Sequence, residues 1–323
     1  MAFEFKRAVR EAVGLVIGFA GGTGSGKTMT ALEVATGISG GKPFALIDTE
    51  AGRAKHYASD YAFDHGDLHP PFRPQAYAEA IFAADDAKYP VIVVDSMSHE
   101  WAGEGGILDW QEEELDRMAG DDWKKREACK MAAWIKPKMD HKKMVQRLLQ
   151  VRAHLILCFR AEEKVDMVRD DDGRMKIVPK VTRTGLDGWV PICEKSLPYE
   201  LTASFLLTAD KPGFPKPIKL QQQHRPFFPL DKPITREAGR KLAEWAAGTA
   251  AATSGATTQA LSAATVEHFI DLMNEPMTME GLDVAYKSAR EAAKQVRDTA
   301  ARDRFTAAYN LRKGDINGVS AQT

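Results

Sequence analysis

Cysteine is scarce in this chain and never arranged for chemistry. Cys129, Cys158 and Cys193 are the three among 323 residues, and no two share CxxC spacing. So odd and scattered a set argues against a disulfide framework or a zinc site, and for a reducing compartment. A small buried apolar role suits each thiol. Long apolar runs are missing as well. Nothing approaches the roughly 18 residues a membrane span needs, and the opening MAFEFKRAVREAV carries charges where a signal peptide would be apolar. Charge imbalance is absent too, with 44 Lys and Arg against 45 Asp and Glu, a net charge of -1. A surface for nucleic acid would therefore have to be local. No internal repeat is visible. The expectation is a soluble, cytoplasmic protein without a membrane partner, long enough for one large α/β domain and an appendage.

Against these absences stands one dense motif, GGTGSGKT, Gly21 to Thr28. It fits the P-loop pattern G-x-x-x-x-G-K-[ST]. The apolar run Leu15–Ala20 leads in, and a helix-favouring stretch from Thr28 to Thr36 follows. Glycines let such a loop bring its N–H groups against phosphates, and the helix beyond presents its positive end to the same anion. The expected nucleotide-binding set is Gly21, Gly22, Thr23, Gly24, Ser25, Gly26, Lys27, Thr28 and Met29. Lys27 would reach the β/γ-phosphates of ATP, and the Thr28 hydroxyl would ligate Mg²⁺.

Further apolar runs lie at Phe44–Ile47, Val91–Val94, His154–Phe159 and Leu201–Leu207. The first of these and the P-loop strand are continuous rather than alternating, as are Val91–Val94 and His154–Phe159, which suits parallel strands covered on both faces. Helices are expected at Gln75–Ala87 and Pro137–Val151, and a further one from a capping Thr235. The sequence therefore predicts a doubly wound α/β fold with its ligand at the carboxyl ends of the strands. Val165–Val178 reads as a hairpin around RDDDGR, with Asp-Gly as the turn signal.

Composition changes after Gly248. Residues 249–265 are rich in Ala, Thr and Ser, as in a flexible linker. Beyond them Val266, Phe269, Ile270 and Met273 form one apolar helix face. Leu282, Tyr286, Ala289 and Ala293 suggest a second helix; Phe305, Ala308 and Tyr309 suggest a third. The expected organisation is a P-loop domain at 1–248, a linker at 249–265 and a helical module at 266–323. The module could dock a partner, form a homo-oligomer, or fold back on the main domain.

A P-loop needs a second acidic group for Mg²⁺. Val91–Val94 ends in Asp95-Ser96, the form of a Walker B element, so Asp95 would hold the metal through water. Hydrolysis also needs a group to orient or deprotonate water. Glu50 in PFALIDTE and Glu100 in DSMSHEW compete for that role. Glu50 is preferred, on the expectation that its strand lies next to the P-loop strand and overhangs the γ-phosphate.

ALIDTE and a separate VIVVDS strand resemble RecA-like ATPases, in which the catalytic glutamate and the Walker B aspartate stand on different strands. The chain is more closely similar to a group of bacteriophage and prophage AAA-family ATPases. IDTEAGRAKHY, DSMSHEWAGEGGIL and PLDKPITREAGRKLAEW carry that resemblance over roughly residues 10 to 247. It implies a RecA-like fold, Lys27 and Thr28 on phosphate and Mg²⁺, Asp95 on the metal and Glu50 as the base. Tyr57 matches the position where such proteins stack a ring on adenine, and Arg160, just past HLILCF, fits a sensor of the γ-phosphate. It also implies a role in phage recombination and single-strand annealing, in the host cytoplasm, beside single-stranded DNA and its binding proteins. The group carries a basic Lys-Asp-Arg-Thr-like element after the late strand. Here that region reads TADKPGFPKPIKL, with Lys211, Lys216 and Lys219 as substitutes.

Charge is segregated between Glu104 and Arg152. The acidic stretch to Asp122 centres on Glu112-Glu113-Glu114. After it come Lys124, Lys125, Arg126, Lys130, Lys136, Lys138, Lys142, Lys143, Arg147 and Arg152, with Trp123 and Trp134 among them. Basic residues with interleaved aromatics suit a single-stranded DNA surface, for which Lys124, Lys125, Lys142, Lys143 and Arg147 are the candidates. A solvated helix face is the plainer reading. Three functions remain open: a DNA-stimulated ATPase, a slowly hydrolysing nucleotide-gated adaptor or loader that docks a single-strand-binding or recombination protein through its tail, and a P-loop small-molecule kinase. An arginine-rich lid, which the last would need, is not evident.

Overall fold

The chain's structure is a computed structural model that describes residues 14–170, 172–180, 188–247, 261, 263–275, 278–295 and 298–320. Most of the expected linker (249–260 and 262) and the N-terminal 1–13 lie outside the described residues. Residues Met1–Gly248 and Thr249–Thr323 form two compact units.

The first unit runs β1 (Val16–Gly21), α1 (Lys27–Ser39), β2 (Phe44–Asp48), β3 (Phe63–Asp67), α2 (Pro74–Asp86) and β4 (Val91–Asp95). It continues with α3 (Ser98–Ala102), α4 (Ile107–Ala119), α5 (Trp123–Cys129), α6 (Ile135–Leu148) and the long β5 (His154–Glu163). Then come β6 (Val165–Arg169), β7 (Met175–Pro179), β8 (Trp189–Pro191), α7 (Leu197–Glu200), β9 (Ala203–Thr208), β10 (Lys211–Leu220) and α8 (Arg236–Ala246).

The sheet order is β10-β9-β1-β5-β4-β2-β3, with β8 added on the outer end of β5. Neighbours pair in parallel except β10 on β9 and β8 on β5. In β1, β2, β4 and β9 every residue is buried, because helices cover both faces, and that is why these strands read as unbroken apolar runs. One core gathers Ile17, Phe19, Leu32, Phe44 and Phe205 on the α1 and α8 side. The other gathers Val16, Ile92, Leu155, Tyr77 and Leu148 under α2 and α6. The fold is the mostly parallel α/β sheet that the sequence predicts.

Three expectations need correcting. The strand carrying Glu50 is not adjacent to the P-loop strand, since β5 and β4 stand between β1 and β2. Three strands carry no apolar-run signal in the sequence: β3, whose FDHGD is polar because it is a half-exposed edge, β10, which holds Pro212, Pro215 and Pro217 at the opposite edge, and the three-residue β8. A sheet edge tolerates proline because an unpaired N–H is not needed there. Thr235 sits at the start of α8 but makes no side-chain cap. The Glu33 carboxylate from α1 accepts the Arg236 N–H at 3.0 Å instead.

Val165–Pro179 is a hairpin, β6 against β7, forming a separate two-stranded sheet. Met167, Ile177, Val165 and Met175 are exposed. The hairpin leaves directly from the end of β5.

The second unit contains α9 (Ala263–Asn274), α10 (Met279–Gln295) and α11 (Thr299–Ser320). Helix α9 begins at Ala263, inside the stretch expected as linker. Val266, Met273, Leu282, Ala289, Ala293 and Phe305 form its own core, flanked by Phe269, Ile270, Tyr286, Ala308 and Tyr309. Among the described residues no helix is long and apolar enough to cross a membrane.

Candidate functional site

The carboxyl ends of β1, β2, β4 and β5 meet at a cleft of about 640 Å³, lined by Gly21–Gly24, Lys27, Thr28, Asp48, Glu50, Arg53, Tyr57, Asp95 and Arg160, among others. The loop between β1 and α1 needs its glycines. Gly24 and Gly26 have φ of +76° and +81°, a region that costs any residue with a Cβ. At Gly21 a Cβ would lie 2.4 Å from the Leu207 carbonyl oxygen and the Ser25 hydroxyl, so no other residue fits. Ser25 is fully buried and donates its hydroxyl to the Gly22 carbonyl at 2.8 Å. The Lys27 ammonium donates to that same carbonyl at 2.9 Å. The loop is thus curled on itself, and α1 starts beside it with unpartnered N–H groups that suit an anion. Met29 is 55 % exposed and does not line the cleft.

Asp95 ends β4, and the Thr28 hydroxyl donates to its Oδ2 at 2.6 Å. Burial pushes the Asp95 carboxyl up to about 6, opposed by the hydrogen bond from Thr28 and the charge of Lys27. Two hard oxygen donors side by side at the foot of the phosphate loop are what a Mg²⁺ ion sharing phosphate and water ligands needs. Among the described residues no three His, Cys, Asp or Glu side chains form a metal-ligating cluster. A cation here would depend on Thr28, Asp95 and the nucleotide's own oxygens.

Glu50 and Glu100 are placed very differently. Glu50 faces the cleft, where both Arg160 Nε and Nη2 donate to its Oε1, at 3.0 and 2.8 Å. Arg53 lies 3.5 Å from its other oxygen. Glu100 is 1 % exposed in α3, with Oε1 2.8 Å from His141 Nδ1. It does not line the cleft. Arg160 lies within β5 rather than beyond it, since the strand runs on to Glu163, and its backbone N–H donates to the Ser98 hydroxyl at 2.8 Å. Tyr57 ends a short 3₁₀ turn, Arg53–Tyr57, and meets Tyr61 edge-on at 6.4 Å.

Several residues that organise this end of the sheet have no motif to announce them. Asp48, 2 % exposed, accepts the N–H groups of Glu50 and Ala54 at 2.6 and 3.0 Å and lies 3.2 Å from His65 Nε2. It shapes the turn that carries Glu50. The Thr49 hydroxyl accepts the Ser96 N–H at 2.8 Å and lies 2.7 Å from His99 Nδ1, tying the β2 tip to the β4 tip. A polar residue directly after an apolar strand is the one signal that could have flagged both.

The basic stretch is partly consumed within the fold. Arg126 pairs with Glu112 at 2.9 Å and Lys136 with Glu114 at 3.0 Å, so the acidic α4 neutralises part of its neighbours. Lys143 pairs with Asp140 at 2.9 Å, Lys125 is 3.9 Å from Asp122, and the Arg147 guanidinium covers the Phe82 ring at 4.6 Å. Lys124 and Lys142 are exposed, as is Trp123 at 72 %. Trp134 instead stacks on Trp101 at 6.0 Å. Of the three late lysines, Lys211 and Lys216 are exposed, and Lys219 donates to the Tyr199 carbonyl at 2.5 Å.

A phosphate loop, an aspartate on the strand tip beside it and a parallel sheet with helices on both faces define a P-loop nucleoside triphosphatase. A family model described as an AAA domain matches residues 14–191, more than half of the chain, and the protein belongs to that family. Nucleotide binding follows from that membership, and the family is one of ATP-binding and ATP-hydrolysing domains. No curated protein matches the chain.

Proposed function

We propose that the protein is a Mg²⁺-dependent ATPase of the RecA-like kind, acting on or near single-stranded DNA in phage recombination or replication. The observation that carries the hydrolytic reading is the Glu50 carboxylate, held by Arg160 at the mouth of the cleft whose foot is the Thr28–Asp95 pair. Lys27 leaves the Gly22 carbonyl to meet the β/γ-phosphates, while the loop N–H groups hold their oxygens. Mg²⁺, held by Thr28 and through water by Asp95, would offset charge on the phosphates. Glu50 takes the proton of the attacking water, and Arg160 turns from Glu50 to the more negative γ-phosphate. Tyr57 forms the base-facing wall.

The single-strand reading is supported by exposed Lys124, Lys142 and Trp123 on the outer helices, and by the hairpin that continues from Arg160 through β5. Phosphates meeting lysines and bases stacking on an exposed ring are the sequence-independent mode of single-strand binding. ATP hydrolysis measured with and without single-stranded DNA tests the proposal. Stimulation is expected, and Lys142→Glu with Lys143→Glu should weaken DNA binding and flatten its salt dependence. Hydrolysis that is slow and indifferent to DNA would favour the second reading, a nucleotide-gated adaptor, for which the separate helical unit is the supporting feature. Phosphoryl transfer to an added acceptor would sink both.

A further inference from the structure

The C-terminal unit has a cleft of its own, about 730 Å³, between α10 and α11. Its centre is a pair of tyrosines, Tyr286 and Tyr309, stacked with centroids 4.3 Å apart and planes 25° from parallel. Both rings are pinned by their hydroxyls. Tyr309 donates to Asp283 Oδ1 at 2.6 Å, and the Tyr286 hydroxyl lies 3.0 Å from Thr306 Oγ1. The pair flanks the core of the unit instead of filling it. The Arg290 guanidinium sits 5.7 Å from the Tyr286 ring and the Lys313 ammonium 5.9 Å from that of Tyr309. Each ring thus has one face on the other tyrosine and a single flexible cation near it, a contact that a base could displace.

Cations dominate the rim. Lys287, Arg290, Lys294 and Arg302 are all exposed. Of the two carboxylates present, Asp283 is engaged by Tyr309, and Glu291 lies 3.6 Å from Lys294. Lys287, Arg290 and Lys294 recur at i, i+3 and i+7 on one helix face, a stripe about 10 Å long at 1.5 Å per residue. One phosphate does not need so long a stripe, whereas consecutive phosphates do. Rigid aromatic faces beside a line of cations are the two elements of a single-strand surface.

We propose that this cleft binds single-stranded nucleic acid, with bases stacked against the Tyr286–Tyr309 pair and successive phosphates along Lys287, Arg290 and Lys294. The choice of polymer rests on the single-strand reading above, and the site would give the protein a second grip separate from its ATPase unit.

The test uses the full-length chain and a fluorescein-labelled twenty-nucleotide oligo(dT), read by anisotropy over a range of salt. Lys287→Glu with Lys294→Glu should weaken binding about tenfold or more and reduce the salt slope by about 1.4, at roughly 0.7 per lost phosphate contact. Tyr286→Phe should retain affinity and Tyr286→Leu should lose about tenfold, since stacking needs the ring and not the hydroxyl. ATP hydrolysis without DNA should be unchanged in all of them, which checks that the rest of the protein is intact. If oligo(dT) binds the charge-reversed protein as tightly as the unaltered one, the C-terminal site is refuted, and weakening by Lys142→Glu with Lys143→Glu would leave the ATPase-unit reading standing. If the unaltered protein does not bind oligo(dT) at all, both fall.

Discussion

Arg160 and Glu50, 110 residues apart, are joined by two N–H donors on a single carboxylate oxygen, Nε at 3.0 Å and Nη2 at 2.8 Å. The pair links β5, next to the P-loop strand, to the tip of β2, two strands further out. It makes the carboxylate's position depend on a guanidinium that lines the same cleft as Lys27 and Thr28.

If Glu50 is the base, Glu50→Gln should bind Mg-ATP with near-normal affinity and lose about 10²- to 10⁴-fold in kcat. Arg160→Ala should also lower kcat, by about 10²-fold, with a smaller effect on KM, because it removes both the orienting partner of Glu50 and a charge for the γ-phosphate. Steady-state hydrolysis with a fluorescent-nucleotide titration separates the two constants. A Glu50→Gln protein with unaltered kcat would remove Glu50 from the chemistry.

Glu100 supplies the contrast. Burial raises its carboxyl above the ordinary range, against the hydrogen bond from His141, and Oε2 is buried without a partner. Glu100→Gln should therefore leave kcat within a few-fold while keeping the bond to His141. Glu100→Leu should lower the melting temperature, because it strands the His141 Nδ1 in a buried site, at about 1–3 kcal/mol for such a group. A 10²-fold loss of kcat in Glu100→Gln would reverse the assignment of the two glutamates.

Two residues explain how far the site could be read from the chain alone. Glu50 and Asp95 are legible because each follows an unbroken apolar run, and a buried parallel strand has to end in polar residues where it reaches the ligand end of the sheet. Their neighbours are not legible, because strand order is not written in sequence order. The insertion of β5 and β4 between β1 and β2 is a property of the sheet, and only the sheet shows that Arg160 can reach Glu50. The same limit applies to the partners of Thr49 and Glu33, which lie on other elements. The edge strands β3 and β10 are hidden for the opposite reason, since half-exposed edges carry neither a continuous nor an alternating apolar signal. Glu100 and Glu50 are told apart by the fold, which buries one against His141 and turns the other into the cleft beside Arg160.

His224 predicts an acid limit to stability. It is 2 % exposed, packs edge-on against Trp245 at 4.6 Å, and neither ring nitrogen has a hydrogen-bond partner. Burial, with the nearby Lys219 charge, holds its imidazole below the usual histidine value. The folded protein then binds fewer protons at this site than the unfolded chain does. Its stability is accordingly full above the unfolded value near 6.5 and falls as pH drops below it. One such group contributes a slope of at most about 1.4 kcal/mol per pH unit. Melting temperatures from pH 8 to pH 5 should fall less steeply in His224→Phe, which keeps the ring contact without the titration. Identical pH profiles would show that His224 does not titrate in this way.

Gly239 offers a test in which two familiar effects predict opposite signs. Replacing a helical glycine by alanine normally stabilises by up to about 1 kcal/mol, since the glycine backbone loses more freedom on folding. Gly239 lies inside α8, and a Cβ there would come 2.2 Å from the Val34 carbonyl oxygen and 3.0 Å from the Ile38 nitrogen of α1. Gly37 faces it from α1, where a Cβ would come 1.9 Å from the Arg236 carbonyl oxygen. The obstacles are backbone atoms, so no side chain can swing aside and the helices would have to part. Overpacking should win, and Gly239→Ala should destabilise by about 1–3 kcal/mol. Because α1 begins with Lys27 and Thr28, the same substitution should also weaken Mg-ATP binding, although it touches no residue of the cleft. Gly314 in α11 is the control, having no atom within 4 Å of its would-be Cβ, so Gly314→Ala should stabilise its helix. Denaturant unfolding of the two variants, read beside nucleotide affinity, decides the matter. A gain in stability for Gly239→Ala would mean that α1 and α8 do not pack as closely as this contact requires.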